Sequence, residues 1–144
     1  MHRRRFVQSA LIVAVGAHAR PAAAATTAGV IPAVDTHTHF YDPTRPQGVP
    51  WPRPADTLLY APFLPAAFRT ATAGLDVVGT VVIEASPWVE DNQWLLDLAA
   101  RTPEILAVVG NLKLGQAEFT GQLAQFAADP LFRGLRIGAG TVQE

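Results

Sequence analysis

Two histidines separated by one residue are the first candidates for chemistry in this chain. His37 and His39 follow an apolar stretch at residues 30–34. In a strand, alternate side chains lie on the same face, so the two imidazoles would project together. Neutral imidazole is the side chain that most often binds transition metals. The spacing therefore indicates half of a metal site or, equally, two histidines without function on a half-exposed strand.

The composition restricts both the class of protein and its chemistry. The 144 residues are enough for one small domain, and 49% hydrophobic with 16% charged residues is typical of a globular chain. The chain has no cysteine, which excludes disulfides, thiolate metal ligands and a cysteine nucleophile. After residue 25, seven basic residues face twelve acidic ones, a net charge of −5. A mildly acidic chain without a basic patch argues against a nucleic-acid partner.

The first 25 residues have the pattern of an export signal. Three arginines at 3–5 precede an apolar region at 6–17 and a run of small residues at 21–25. Residues 3–8 resemble the twin-arginine export motif. The apolar region is well short of the roughly 20 residues that a spanning helix needs, so we expect no stable membrane anchor. This pattern predicts an exported, periplasmic protein.

Strand-like and helix-like segments alternate along the rest of the chain. Apolar runs predict strands at 31–39, 77–84, 105–112 and 132–137, the middle two buried on both faces. Apolar spacing predicts helices near 63–71 and 119–126, and a third that opens at Ser86-Pro87 with a capping hydroxyl and ends before Pro103. This order predicts an α/β fold with a parallel sheet and right-handed crossovers.

The connection between the first strand and the first helix, residues 40–61, is rich in proline, which excludes regular structure. It also carries Tyr41, Trp51 and Tyr60. Long connections in compact domains are often functional. Two interpretations stay open: a loop packed over the mouth of a site and touching substrate, or a stiff surface loop whose aromatic side chains pack locally.

Polar side chains occur where the predicted strands end, which is where parallel α/β folds place their sites. His37 and His39 end the first strand and Glu84 ends the second. Asn111 and Lys113 end the third.

In the fourth strand, Leu135 and Ile137 share one face, and Arg136 lies on the other. If the apolar face packs on helices, Arg136 points inward.

Several of these segments together resemble the amidohydrolase-related metal-dependent hydrolases. Residues 34–43, Val-Asp-Thr-His-Thr-His-Phe-Tyr-Asp-Pro, resemble the opening motif of that family, and residues 82–87, 90–98 and 133–136 resemble its second and fourth strand regions. The resemblance implies a (β/α)8 TIM barrel in which His37 and His39 are two ligands of a divalent metal, with zinc as the expected ion. The metal activates a water that attacks a small cyclic ester, lactone or amide.

The chain departs from the family pattern in its length. A full barrel needs about 250 residues, whereas residues 31–144 hold about four strand–helix units. A catalytic zinc needs three protein ligands, and the chain has no third histidine after residue 25. We therefore expect residues 31–144 to be the N-terminal half of a barrel, truncated at its C-terminus. Exposed strand edges would then favour self-association into a homo-oligomer.

The remaining candidate residues each have two interpretations. Asp35 could support a ligand imidazole, as carboxylates behind metal ligands do, or accept a backbone hydrogen bond. Glu84 could contact substrate or water, or end its strand in solvent. Arg136 could bind a substrate carboxylate or pair with Glu84. No residue is identified as a catalytic acid or base.

The expected function is thus a metal-dependent hydrolase acting on a small molecule. Two alternatives remain. One is non-oxidative decarboxylation on the same scaffold, as some relatives perform. The other is a catalytically inert fragment that associates with itself through its sheet edges.

Overall fold

The computed structural model describes residues 31–138, which form seven elements of secondary structure. The strands are β1 (Ala33–Thr38), β2 (Val77–Ile83), β3 (Ile105–Gly110) and β4 (Phe132–Leu135), and the helices are α1 (Pro65–Ala71), α2 (Glu90–Ala100) and α3 (Phe119–Ala127). The predicted order of elements is confirmed. The predicted export signal lies outside the described residues and stays a prediction. No helix between residues 31 and 138 is long and apolar enough to cross a bilayer.

The four strands form one parallel sheet in the order β1-β2-β3-β4. Each strand pairs with the next one along the chain, so every crossover advances the sheet by one strand in the same direction. Crossovers that advance in one direction with the same hand place the helices on a common face of the sheet. This sequential order is that of part of a (β/α)8 barrel, as predicted.

A single hydrophobic core joins the helices to the sheet. Val82 of β2 and Val108 of β3 are completely buried at its centre. Two aromatic rings, those of Phe126 in α3 and Phe132 in β4, stack with their centroids 5.5 Å apart. The core therefore takes side chains from helices and from successive strands, and it fixes the sheet that carries the candidate site residues.

The prediction that the middle strands are buried on both faces holds only in part for the described residues. Successive side chains of a strand lie on opposite faces, and in β2 both Val82 (0% exposed) and Ile83 (8% exposed) are buried. Val78 of β2 is 52% exposed, however, and Leu106 of β3 is 45% exposed. Both exposed residues lie where the pairing with the neighbouring strand shifts register, which interrupts the regular alternation of side chains. The predicted homo-oligomer is a separate matter and stays a prediction.

The start of α2 differs from the prediction. Ser86 does not cap the helix; its hydroxyl oxygen accepts a hydrogen bond from the Trp88 backbone N–H at 3.0 Å. The helix begins at Glu90, without a side-chain cap, and Glu90 and Asp91 supply negative charge to its first turn. Ser86 and Pro87 therefore shape the turn between β2 and α2, and this turn forms part of the candidate site.

Candidate metal and substrate site

β1 is not a regular strand where its histidines lie. Asp35 pairs with Thr80 of β2, but Thr38 pairs with Val82. β1 therefore advances by three residues where β2 advances by two. The extra residue is a β-bulge, a feature that turns side chains in a new direction. Asp35 stabilises it, because its carboxylate Oδ1 accepts a hydrogen bond from the His37 backbone N–H at 3.0 Å. Of the two interpretations of Asp35, the structure shows the backbone hydrogen bond.

The two imidazole rings lie together at the end of β1. Their centroids are 5.1 Å apart and their planes make an angle of 79°. His37 is exposed and His39 is half-buried. The parity argument that placed them together assumed a regular strand. The rings meet although the bulge breaks that parity.

His39 is held in one tautomer by the neighbouring strand. Its Nδ1 lies 3.0 Å from the carbonyl oxygen of Ile83, the last residue of β2. Because a carbonyl oxygen can only accept, Nδ1 carries a proton, and in the neutral ring the lone pair is on Nε2. Metal-binding histidines are typically oriented in this way, through the ring nitrogen that does not bind the metal. The contact with Ile83 therefore leaves Nε2 as the ring nitrogen of His39 that is available to a metal.

The described residues supply only part of a metal site. Between residues 31 and 138, no group of three or more His, Asp or Glu side chains converges in a way that could hold an ion. The donor chemistry of the pair, two neutral imidazoles, suits zinc and similar divalent ions. His37 and His39 thus fit the expected metal as two ligands of a set that needs at least one more.

A cleft of about 740 Å³ opens beside His39 at the C-terminal ends of the strands. It collects residues from five separate segments of the chain. The side chains in its lining that can make polar or aromatic contacts include those of His39, Trp51, Glu84, Asn111, Lys113 and Arg136. The structure thus brings together His39, Glu84 and Arg136, as predicted from the strand ends. Asp35 and His37 are not among the lining residues.

Glu84 and Arg136 face each other within this cleft. Arg136 Nη1 lies 3.8 Å from Glu84 Oε1, which is an ion pair without a short hydrogen bond. Burial raises the pKa of the Glu84 carboxyl above its ordinary value, and Arg136, the Ser86 backbone N–H and His39 each lower it again by a smaller amount. The partnership with Glu84 is the interpretation of Arg136 that the structure shows. Its side chain is 52% exposed, so the pair lies at the cleft rim.

Removing the positive charge of Arg136 should raise the pKa of Glu84 further. In an Arg136→Gln variant the burial of Glu84 remains, while the largest opposing influence disappears. We expect the titration of the Glu84 carboxyl, followed by ¹³C NMR, to move to higher pH. Because a raised carboxyl pKa favours the folded state at low pH, the contribution of Glu84 to stability declines as pH rises through that pKa.

Arg133→Gln is the matched control, since Arg133 is an exposed arginine of β4 outside the cleft lining. An unchanged Glu84 titration in Arg136→Gln, or an equal shift in both variants, would contradict the pairing.

One wall of the cleft, which includes Asn111, is fixed by two asparagines. Asn92 of α2 is completely buried, its Nδ2 donates to the Asn111 carbonyl at 2.7 Å, and its Oδ1 accepts from the Asn111 N–H at 3.0 Å. Asn111 in turn donates through Nδ2 to the carbonyls of Ser86 (2.7 Å) and Trp88 (3.3 Å). The end of β3, the start of α2 and the turn after β2 are therefore tied into one unit.

The proline-rich connection is anchored to α2. Arg45 Nη2 lies 2.6 Å from Asp91 Oδ1, with both side chains nearly buried, and its guanidinium lies 4.4 Å from the centroid of the Trp94 ring. Tyr41 is buried and contacts Trp51 edge-to-face. Both interpretations of the connection hold in part, because its aromatic residues pack locally and Trp51 also reaches the cleft.

One prediction about the fourth strand is wrong. Ile137 does not share a helix-facing apolar side with Leu135; it is 44% exposed and lines the cleft together with Arg136. The reason is that β4 ends at Leu135, so strand alternation does not extend to Ile137.

Sequence reasoning also missed Asn92, Arg45 and Gln116, a further lining residue. For Asn92, a polar residue close to the apolar positions 95 and 96 of α2 was a usable signal.

The sequence model of the family described as Amidohydrolase matches residues 34–142. The chain belongs to the amidohydrolase family. This match begins at the strand that carries both histidines and covers the whole described sheet, so the resemblance read from residues 34–43 is confirmed.

Two proteins from Burkholderia species are similar to the chain. It is 36% identical over 103 residues to the L-fucono-1,5-lactonase of Burkholderia ambifaria, an alignment that covers 72% of this chain and 35% of that enzyme. An amidohydrolase of Burkholderia multivorans, solved once with bound zinc and once with bound HEPES, superposes with a TM-score of 0.63 at 25% identity. That superposition covers 72% of this chain and 36% of the other. The chain thus spans about a third of the length of these two proteins, and its four strands correspond to part of a TIM barrel.

Proposed function

We propose that this chain contributes the first two metal ligands and one wall of the substrate cleft to a metal-dependent lactone hydrolase. The observation that carries the proposal is the geometry of His39. Its Nδ1 proton is bound by the Ile83 carbonyl, so Nε2 is free beside the ring of His37 and at the edge of the cleft. The identity to an L-fucono-1,5-lactonase supports a hydroxylated lactone as the substrate.

Each part of the site would have a distinct task. When bound, a divalent metal, with zinc as the first choice, supplies a water of lowered pKa and polarises the carbonyl of the substrate. His37 and His39 hold their ring nitrogens in place for it. Glu84 and Arg136, at the rim, would orient the substrate through hydrogen bonds, because a carboxylate accepts from hydroxyl groups and a guanidinium donates to oxygen atoms.

The proposal is tested with the full-length protein encoded by the gene. We expect about one divalent metal per chain and hydrolysis of L-fucono-1,5-lactone, followed as acid release at constant pH. Removal of the metal with a chelator should abolish turnover, and zinc should restore it. Turnover that survives complete metal removal would contradict the proposal. Release of CO₂ from aromatic carboxylates, without lactone hydrolysis, would indicate decarboxylation instead.

A further inference from the structure

We propose that Trp51 is the platform on which the ring of the substrate lies, and that it makes the cleft selective for cyclic over open-chain molecules. The inference rests on the proposed lactone hydrolase and names how that site would recognise its substrate. Trp51 belongs to a connection without helix or long strand, yet it lines the same cleft as His39 and Glu84.

Trp51 exposes a large aromatic side chain at the cleft. Trp51 is 47% exposed, whereas its aromatic contact Tyr41 is only 7% exposed. Leaving a large aromatic surface in water forgoes the stabilisation that burial brings. A tryptophan left open at the wall of a cleft therefore offers a face to a ligand.

The loop around Trp51 is held in place by contacts of Tyr41 and Pro52. Tyr41 contacts the Trp51 ring at a centroid distance of 5.7 Å and an angle of 70°, and its hydroxyl donates to the Leu59 carbonyl at 3.1 Å. The Tyr41 backbone is itself paired with Phe63 in a β-bridge, through bonds of 3.1 and 2.9 Å. The following residue, Pro52, is among the most buried of the described residues. A side chain preorganised in this way binds a ligand with little loss of entropy.

The cleft combines Trp51 with charged and polar side chains as well as apolar ones, such as Leu114 and Ile137. The other lining residues include Glu84, Lys113 and Arg136, which are charged, and Gln116, which is polar. A hydroxylated lactone ring has a face of C–H groups and a rim of oxygen atoms. The face matches the indole, and the rim matches groups that donate and accept hydrogen bonds. An open-chain hydroxy acid has the same oxygen atoms but no rigid face.

The test measures binding without turnover in the full-length protein. The probes are L-fucono-1,5-lactam, a cyclic analogue that resists hydrolysis, and open-chain L-fuconate, both titrated by calorimetry. In Trp51→Ala we expect the affinity for the lactam to fall about tenfold, as losing one aromatic stacking face typically costs, with fuconate affinity changed less than about twofold. Trp51→Phe should keep lactam affinity within about threefold, because a flat face remains. Leu58→Ala, at an exposed position of the same loop, is the control and should bind as the wild type does.

Three results would overturn the inference. They are unchanged lactam affinity in Trp51→Ala, an equal loss for lactam and fuconate, and absence of lactam binding by the wild-type protein. Failure of the proposed function is recognised separately. If the protein hydrolyses no lactone but loses lactam binding in Trp51→Ala, the proposed function fails and the role of Trp51 stands. If the protein is a metal-dependent lactonase whose Trp51→Ala variant binds the lactam unchanged, the proposed function stands and the role of Trp51 fails.

Discussion

Under the proposed function, replacing both His37 and His39 with alanine is expected to prevent metal binding by the full-length protein and to lower kcat/KM for L-fucono-1,5-lactone by more than about 100-fold. Loss of partners that only orient metal ligands typically costs 10- to 100-fold, and loss of two ligands must exceed that. Removing the His39 ring would also leave the Ile83 carbonyl without its hydrogen-bond donor. Metal content by elemental analysis and steady-state hydrolysis measure the two effects.

Thr36→Ala is the matched control for the histidine variant. Thr36 lies in the same strand, next to His37, and its side chain is exposed. We expect it to retain both metal and turnover. A double histidine variant that keeps stoichiometric metal would refute the assignment of these residues as ligands. A variant that loses the metal but hydrolyses lactone at the wild-type rate would instead contradict a metal-dependent reaction.

Replacing Asn92 with alanine is expected to lower the free energy of unfolding by about 3 kcal/mol, because the completely buried Asn92 side chain is lost and two backbone groups of the half-buried Asn111 lose their partners at once. The N–H and the carbonyl of Asn111 follow directly after β3, and among the described residues Asn92 is the residue of α2 whose side chain hydrogen-bonds to them. Urea unfolding, read as the shift in midpoint at constant m-value, measures the loss.

Gln93→Ala is the matched control for Asn92→Ala. Gln93 is the next residue of α2, it is exposed, and its amide bonds only to the exposed Asp97. Its loss should change stability by less than about 0.5 kcal/mol. Equal effects of the two substitutions would show that Asn92 has no special role.

Gly110 provides a second test of the same contact. A Cβ atom at Gly110 would overlap the Asn92 side-chain oxygen and come within 2.5 Å of the Phe132 ring. Gly110→Ala should therefore destabilise the protein by about 2 kcal/mol. In the Asn92→Ala background one of the two obstacles is gone, so the penalty should shrink by about 1 kcal/mol. Strictly additive effects would contradict a direct contact between these residues.

The histidine pair and the asparagine pair hold different parts of the candidate site. The bulge in β1 and the Ile83 carbonyl orient His37 and His39, while Asn92 and Asn111 tie β3 to the turn that follows β2. Both devices act where strands end, and both use backbone groups that regular strand pairing leaves available. Damage to the asparagine pair should therefore reduce stability first, and damage to the histidine pair should reduce activity first.

The sequence by itself determined the order of elements. Hydrophobic periodicity is a local property, so the alternation of apolar runs with amphipathic segments sufficed to predict every strand and helix between residues 31 and 138. It also placed the polar ends of strands at one edge of a parallel sheet, because parallel strands share their direction. His39, Glu84 and Arg136 were found in this way, and the motif at residues 34–43 indicated the family.

Only the tertiary structure decided how those residues are held. The bulge in β1 depends on pairing with a strand some 40 residues later, and the tautomer of His39 depends on a carbonyl of that same strand. The contacts of Arg45 with Asp91 and of Asn92 with Asn111 join residues that are distant in the chain. Hydrophobic periodicity does not predict such pairs, because they form only once packing of the helices and strands has brought the two residues together. For the same reason the sequence left Trp51 with two interpretations, and the folded loop brought it to the cleft.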